Sequence, residues 1–166
     1  MNTDSEPSTL PVFGVGPAYV AGIFTLTILA GLATYLGWIA KAAVTPRWLR
    51  IVFITAGVLT AIAGITIWCL AVIGARSVEK IKNNQLMTDG IYAWVRHPVY
   101  AAFLFINTGI LLTLGNYWLL ILPFVYWISL SVLMKYTEER WLTRHYGQRY
   151  LDYAQHVNRV IPWPPT

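Results

Sequence analysis

The chain has 166 residues, of which 57% are hydrophobic and 11% charged, with a mean hydropathy of +0.54. A soluble domain carries about 25% charged residues, so this composition excludes a disordered chain and a water-solvated single core and points to an integral membrane protein. The formal net charge of +5 at pH 7 suits an anionic cytoplasmic leaflet rather than nucleic acid.

Residues 1–17 are polar and then rich in Pro and Gly, which predicts a flexible tail. From Ala18 to Ala40 no charge occurs, and the stretch is long enough for a first span, which takes about 20 apolar residues. It is too long for a signal h-region and has no basic n-region before it. Ile51 to Ala75, between Arg50 and Arg76, predicts a second span, so that 18–75 holds two transmembrane helices. Gly57 with Ala61, and Thr60 with Gly64, have small-xxx-small spacing, which lets helix backbones approach closely; packing within the chain is favoured over a dimer seam. The one cysteine, Cys69, excludes an intrachain disulfide and a cysteine zinc site, and its apolar surroundings predict a buried structural thiol.

Pro98 to Met134 is again uncharged and too long for one span. Gly115-Asn116 divides it into Pro98–Leu114 and Tyr117–Met134, a tight helical hairpin. Pro98 fits a first helical position, and Pro123 predicts a kink in the fourth helix. After Met134 the chain turns charged and aromatic. Trp141, Leu142, His145 and Tyr146 share one helical stripe, continued beyond Gly147 by Tyr150, Tyr153 and Ala154, which predicts one or two amphipathic helices on the membrane surface. The expected fold is thus an all-α integral membrane protein with four transmembrane helices and a C-terminal amphipathic interfacial helix, residues 76–166 forming its functional part. Four spans place nine cations (Arg76, Lys80, Lys82, Arg96, Lys135, Arg140, Arg144, Arg149, Arg159) on one side and three (Lys41, Arg47, Arg50) on the other. The larger set is expected in the cytoplasm.

The tight hairpin returns the chain to the face it left, so the polar segment before the third span and the one after the fourth meet there. Together they supply Arg96, His97, Glu138 and Glu139, with Tyr92, Tyr100, Tyr136 and Tyr146. Each has a plain structural explanation: Arg96 as a snorkelling anchor, His97 as a cap, the glutamates as an acidic helix N-terminus, the tyrosines as an interfacial belt. Ionisable residues at span ends are nonetheless expensive unless paired or functional. No HxxxH or ExxH spacing exists, so no metal site is expected. Gly14-Val15-Gly16 has no strand before it, which argues against a Rossmann site.

Gly90 to Tyr100 contains G-x-Y-x-x-x-R-H-P-x-Y, and Glu138 to Tyr153 contains E-E-x-x-L-x-x-x-Y-G-x-x-Y-x-x-Y. The two motifs in order, with a hairpin between, resemble the isoprenylcysteine carboxyl methyltransferase family, whose relatives include membrane phospholipid N-methyltransferases and the C-terminal part of sterol reductases. The resemblance covers about half the chain, from Asn84 to Pro162. It implies methyl transfer from S-adenosylmethionine to a hydrophobic or lipid-like acceptor, with the active site facing the cytoplasm. Carried over residue by residue, it implies cofactor contacts at Asn84, Gln85, Leu86, Met87, Tyr92, His97, Pro98, Val99 and Tyr100, and an ammonium-binding carboxylate at Glu138. The family often has histidine where Asn84 stands and valine where Met87 stands.

The residue types suit that chemistry. A zwitterionic methionine end asks for a carboxylate and a cation, here Glu138 with Arg96 or His97, and a sulfonium is drawn to the aromatic faces of Tyr92 or Tyr100. An amine acceptor would need a base, for which His97 and Glu139 are candidates. The isoprenylcysteine enzymes carry an arginine four residues before the glutamate that Glu138 matches. This chain has Met134 there and Lys135 next to it, so these two are the candidate acceptor-binding positions, and a prenylated cysteine carboxylate is expected to be a poor acceptor. A lipid amine or a thiol are the alternative acceptors, and the oligomeric state stays open. A nicotinamide-dependent sterol-type reductase is less favoured, because those relatives have Asn where Val99 stands and much longer membrane cores. A non-catalytic membrane scaffold is the reading from another class.

Overall fold

The computed structural model describes residues 15–75 and 86–164. The tail expected at 1–17 lies outside the described residues as far as position 14. Among the described residues six α-helices follow one another: α1 (Gly16–Tyr35), α2 (Arg47–Ala75), α3 (Pro98–Thr113), α4 (Ile121–Tyr136), α5 (Glu138–Tyr146) and α6 (Gln148–His156). Short 3-10 turns lie at Ala40–Ala42, Gly90–Ala93 and Tyr117–Leu120. Among the described residues three stretches are long and apolar enough to cross a membrane: Gly16–Tyr35, Arg47–Ile73 and the apolar part of Tyr117–Tyr146, which ends at Met134, before Lys135. The outward faces carry Ile28, Leu59, Ile73, Phe124 and Ile128, all exposed. Helices wrapped in apolar residues have no stable place in water, so the protein is a multi-pass membrane protein.

α3 is as long as α4 but, unlike it, is not extended by an apolar 3-10 turn. Its 16 residues reach about 24 Å at 1.5 Å per residue, short of a hydrocarbon core of about 30 Å. It is the central post of the fold, packed on α1, α2 and α4. The core joins Tyr19 and Ile23 of α1, Ala101, Leu104 and Leu111 of α3, and Tyr126, Leu130 and Met134 of α4. On its other side α3 meets α2 through small residues. A Cβ added at Gly109 would stand 2.5 Å from the Gly57 carbonyl oxygen, and one at Gly64 would stand 2.8 Å from that of Ala102. The small residues of α2 therefore serve packing within the chain. The same seam turns Cys69 outward: α2 buries Gly57, Gly64, Ile67 and Ala71, and Cys69 lies on the exposed face. The buried thiol expected from its neighbours is thus corrected, because in a membrane helix apolar neighbours mark lipid contact as readily as core.

The hairpin between α3 and α4 is fixed at the end far from the motifs. Gly115 turns at φ +62°, a region that suits glycine. Asn116 is fully buried; its side-chain amide donates to the Ile39 carbonyl at 2.8 Å, and its Oδ1 accepts from Trp118 N–H at 3.0 Å. Val44 N–H donates to Gly115 O at 2.8 Å, so the loop after α1 holds the hairpin. Pro123 lies in the first turn of α4, where a missing N–H is tolerated. The run expected as one helix from Tyr117 is instead a 3-10 turn followed by α4 from Ile121.

Gly109→Ala is expected to destabilise the protein by about 1–3 kcal/mol, since the Cβ meets backbone that cannot move aside. Gly22→Ala, with nothing within 4 Å of the new Cβ, is expected to change stability by less than about 0.5 kcal/mol. Thermal unfolding of the two variants in detergent compares them; equal melting would show that the α2–α3 seam is not tight.

Candidate functional site

Pro98 opens α3, and His97 precedes it in the cap position. α4 ends at Tyr136, and Thr137, at φ −118° and ψ −84°, turns the chain so that Glu138 and Glu139 open α5. The antiparallel α3–α4 pair thereby sets the start of one element against the end of the other. His97 is buried, at 6% exposure. Its Nδ1 lies 3.6 Å from Glu138 Oε2 and its Nε2 lies 3.5 Å from Glu139 Oε1. One imidazole is therefore bracketed by two successive carboxylates.

The two carboxylates have different surroundings. Glu138 accepts a 2.7 Å hydrogen bond from the Tyr100 hydroxyl, and its side chain is 22% exposed. Gly16, at the start of α1, lies so close to the Tyr100 ring that any side chain there would overlap it. Glu139 is buried and faces cations. Arg159 donates to it with both fork nitrogens, Nε to Oε1 at 2.7 Å and NH2 to Oε2 at 2.8 Å, and Arg96 NH1 stands 3.1 Å from Oε1. Burial on its own would raise the Glu139 pKa. The contacts with His97 and Arg159 and the charges of Arg96 and Arg159 outweigh it and hold the carboxyl at about 2. A carboxylate held that low is a weak proton acceptor. Glu139 lies beyond the apolar stretch, on the polar side of Lys135.

The C-terminal segment completes the site. After α6 the chain runs extended alongside 94–97: Arg96 N–H donates to Asn158 O at 2.8 Å, His97 N–H to Arg159 O at 3.2 Å, and Trp163 N–H to Trp94 O at 3.1 Å. Gly147, at φ +57°, turns α5 into α6. This places Tyr150, fully buried, 3.5 Å from Arg96 NH1, and the Tyr153 hydroxyl donates to Tyr92 O.

Of the expected site residues, Arg96, His97, Tyr100, Glu138 and Glu139 come together directly. Pro98 and Val99 begin α3 beside them, and Tyr92 is tied in through Tyr153. Leu86 is buried and Met87 half-buried; Asn84 and Gln85 lie outside the described residues. Met134 is fully buried in the core, whereas Lys135 lines a cleft next to Arg96. Arg159 and Tyr150 were not singled out as site residues by sequence reasoning. The available signal was Val157 to Ile161, with β-branched residues at Val157, Val160 and Ile161 ahead of Pro162, which favours extended backbone. Nothing in it names the partner strand.

A model of the phospholipid methyltransferase family matches residues 47–149. Residues of the chain are 39% identical over 88 positions to protein-S-isoprenylcysteine O-methyltransferase of Schizosaccharomyces pombe, covering 52% of this chain and 37% of that protein. The like-named protein of Tribolium castaneum is 36% identical over 88 residues, covering 51% and 30%. Protein-S-isoprenylcysteine O-methyltransferase B of Arabidopsis thaliana is 30% identical over 87 residues, covering 52% and 44%. The match therefore spans between about a third and under half of the length of these relatives.

The low Glu139 pKa gives a pH dependence of stability. Its folded value, about 2, lies below the ordinary 4.5, so its contribution is present above about pH 4.5 and is lost as pH falls toward 2. Melting temperatures in detergent should fall across that window, and Glu139→Gln should flatten the fall. The same acid slope in both proteins would show that Glu139 is not held by its cations.

Proposed function

The chain belongs to the phospholipid methyltransferase family, and from that premise we propose that it transfers a methyl group from S-adenosylmethionine to an apolar acceptor at the membrane. The observation that carries this reading is the bracket of Glu138 and Glu139 around His97, because it unites both motifs in one polar cluster at the end of the apolar helices. When bound, S-adenosylmethionine supplies an electrophilic methyl on a sulfonium, together with a zwitterionic methionine end.

The residues fit such a group. Glu138 keeps an exposed edge while Tyr100 fixes its orientation, which suits it to accept an ammonium. Arg96 Nε is buried without a hydrogen-bond partner, and His97 Nε2, although 3.5 Å from Glu139 Oε1, makes no hydrogen bond there, so each is a donor that a carboxylate can take up. Methyl transfer is an in-line displacement, so the chain contributes chiefly by holding acceptor and methyl at near-attack distance. Where the acceptor is an amine, we assign its proton to His97. Glu139, neutralised by Arg96 and Arg159, instead holds the ring in place. Both termini and the site are assigned to the cytoplasmic side by the excess of cations at this end, and α5 and α6 are assigned to the membrane surface.

The relatives' printed names point to an isoprenylcysteine acceptor. Met134 argues for a different one, since it is buried and offers no fork to a carboxylate. Transfer of labelled methyl to a farnesylated cysteine, a phospholipid amine and an apolar thiol, in lipid nanodiscs, tests the reading. Labelling of one of the last two above the prenylcysteine is expected; no transfer to any, with no donor binding, would contradict methyl transfer itself.

Two further outcomes are expected. Glu138→Gln and His97→Ala should each weaken S-adenosylmethionine binding by roughly ten- to a hundredfold, the worth of a charge-assisted contact of about 1.5–3 kcal/mol; titration calorimetry with normal binding by Glu138→Gln would remove Glu138 from the site. In a Cys69→Ser background, cysteine at Gln148 should label from the cytoplasmic side and cysteine at Trp118 from the opposite side. Labelling of both from one side would overturn the assigned orientation.

A further inference from the structure

A second polar feature adjoins the bracket. Beside Glu139 a cleft of about 460 Å³ is lined by Arg96, Lys135, Arg140 and Arg144, together with Leu151 and Ala154. Glu139 also borders it, but that carboxylate is already taken by Arg159 and Arg96. Among the described residues no carboxylate stands within ion-pair distance of Lys135, Arg140 or Arg144. Arg140 and Arg144 are four residues apart on α5 and so share a face, where like charges repel. Lys135 and Arg140 both lie over the Tyr136 ring, at 5.6 and 5.0 Å, and are held there by it.

We propose that this cleft binds the phosphomonoester head of an anionic membrane lipid of the phosphatidate type. Three cations gathered at one cleft with no carboxylate partner among the described residues exceed what a carboxylate of single charge can satisfy. A phosphate monoester carries a charge of about −1.5 to −2 at neutral pH and has three acceptor oxygens, which matches the set. The depth matches a lipid source: Lys135 is the first charge after an apolar run that begins beyond Arg96, so the cleft opens at the level where the hydrocarbon ends and headgroup phosphates begin. Leu151, 41% exposed, and Ala154 offer an apolar wall for the glycerol and upper chain. The cleft shares Arg96 with the proposed donor site, but the proposal rests on Lys135, Arg140 and Arg144, which that site does not use, and it stands whether or not methyl transfer occurs.

The test uses the full chain in phosphatidylcholine nanodiscs containing trace spin-labelled phosphatidate or, in parallel, spin-labelled phosphatidylcholine, with no methyl donor present. The motionally restricted fraction of each label is measured. The wild-type protein should favour phosphatidate by about tenfold, the equivalent of one charge-assisted contact. Arg140→Gln with Arg144→Gln should bring the ratio to parity; both residues are exposed, so the fold should tolerate the change. Arg140→Lys with Arg144→Lys should keep most of the preference, and so should Arg47→Gln with Arg50→Gln, which removes the same charge at the other end. Parity in the wild type, or equal loss in the two glutamine pairs, would overturn the proposal. So would displacement of phosphatidate by millimolar inorganic phosphate, which would make free phosphate the ligand.

Discussion

Successive residues on a helix point about 100° apart, so two neighbouring glutamates reach one imidazole only if the ring sits in the angle between them. The start of α5 provides that angle for Glu138 and Glu139, and the cap of α3 provides the ring. Two carboxylates this close to each other and to an apolar core would repel and be poorly solvated. Arg96 and Arg159 remove the difficulty on one side by neutralising Glu139. Glu138 then remains as the carboxylate with an open edge. The asymmetry between two identical side chains, one closed by arginines and one steadied by a tyrosine, gives the site its division of labour.

The position of His97 follows from packing at a distance. The glycine seam with α2 fixes how deep α3 lies, and the buried Asn116 fixes the far end of the α3–α4 hairpin. A short α3 clamped at both ends cannot slide, so its N-terminal cap meets the end of α4 at a defined height. The extended C-terminal segment then closes over 94–97 with backbone hydrogen bonds, which carries Arg159 to Glu139. Much of the chain outside the two motifs thus acts on the site by placing it, as expected of a reaction whose main requirement is alignment.

A large part of this was legible in the sequence. Uncharged runs marked the apolar helices, Pro98 marked the start of α3, and the Gly115-Asn116 break implied that the two polar segments meet. The remainder depends on contacts that periodicity does not encode. Whether Cys69 faces core or lipid depends on which side of α2 meets α3, and both sides are apolar. Glu139 reads like Glu138 until Arg159 is placed, and Arg159 is placed by a strand pairing between residues some sixty positions apart. Pro123 reads as a kink until the 3-10 turn before it moves the helix start.

A bound methyl donor is proposed to set its methionine carboxylate against the His97 ring. Solid-state magnetic resonance in nanodiscs measures this directly, as dipolar dephasing between an isotope-labelled carboxyl carbon of S-adenosylmethionine and labelled histidine nitrogens. His145 and His156 are the other histidines, so His97→Asn assigns the signal. The account predicts dephasing in the wild-type protein that disappears in His97→Asn while the donor still binds. Bound donor with no dephasing in the wild type, or with dephasing that survives in His97→Asn, would contradict it.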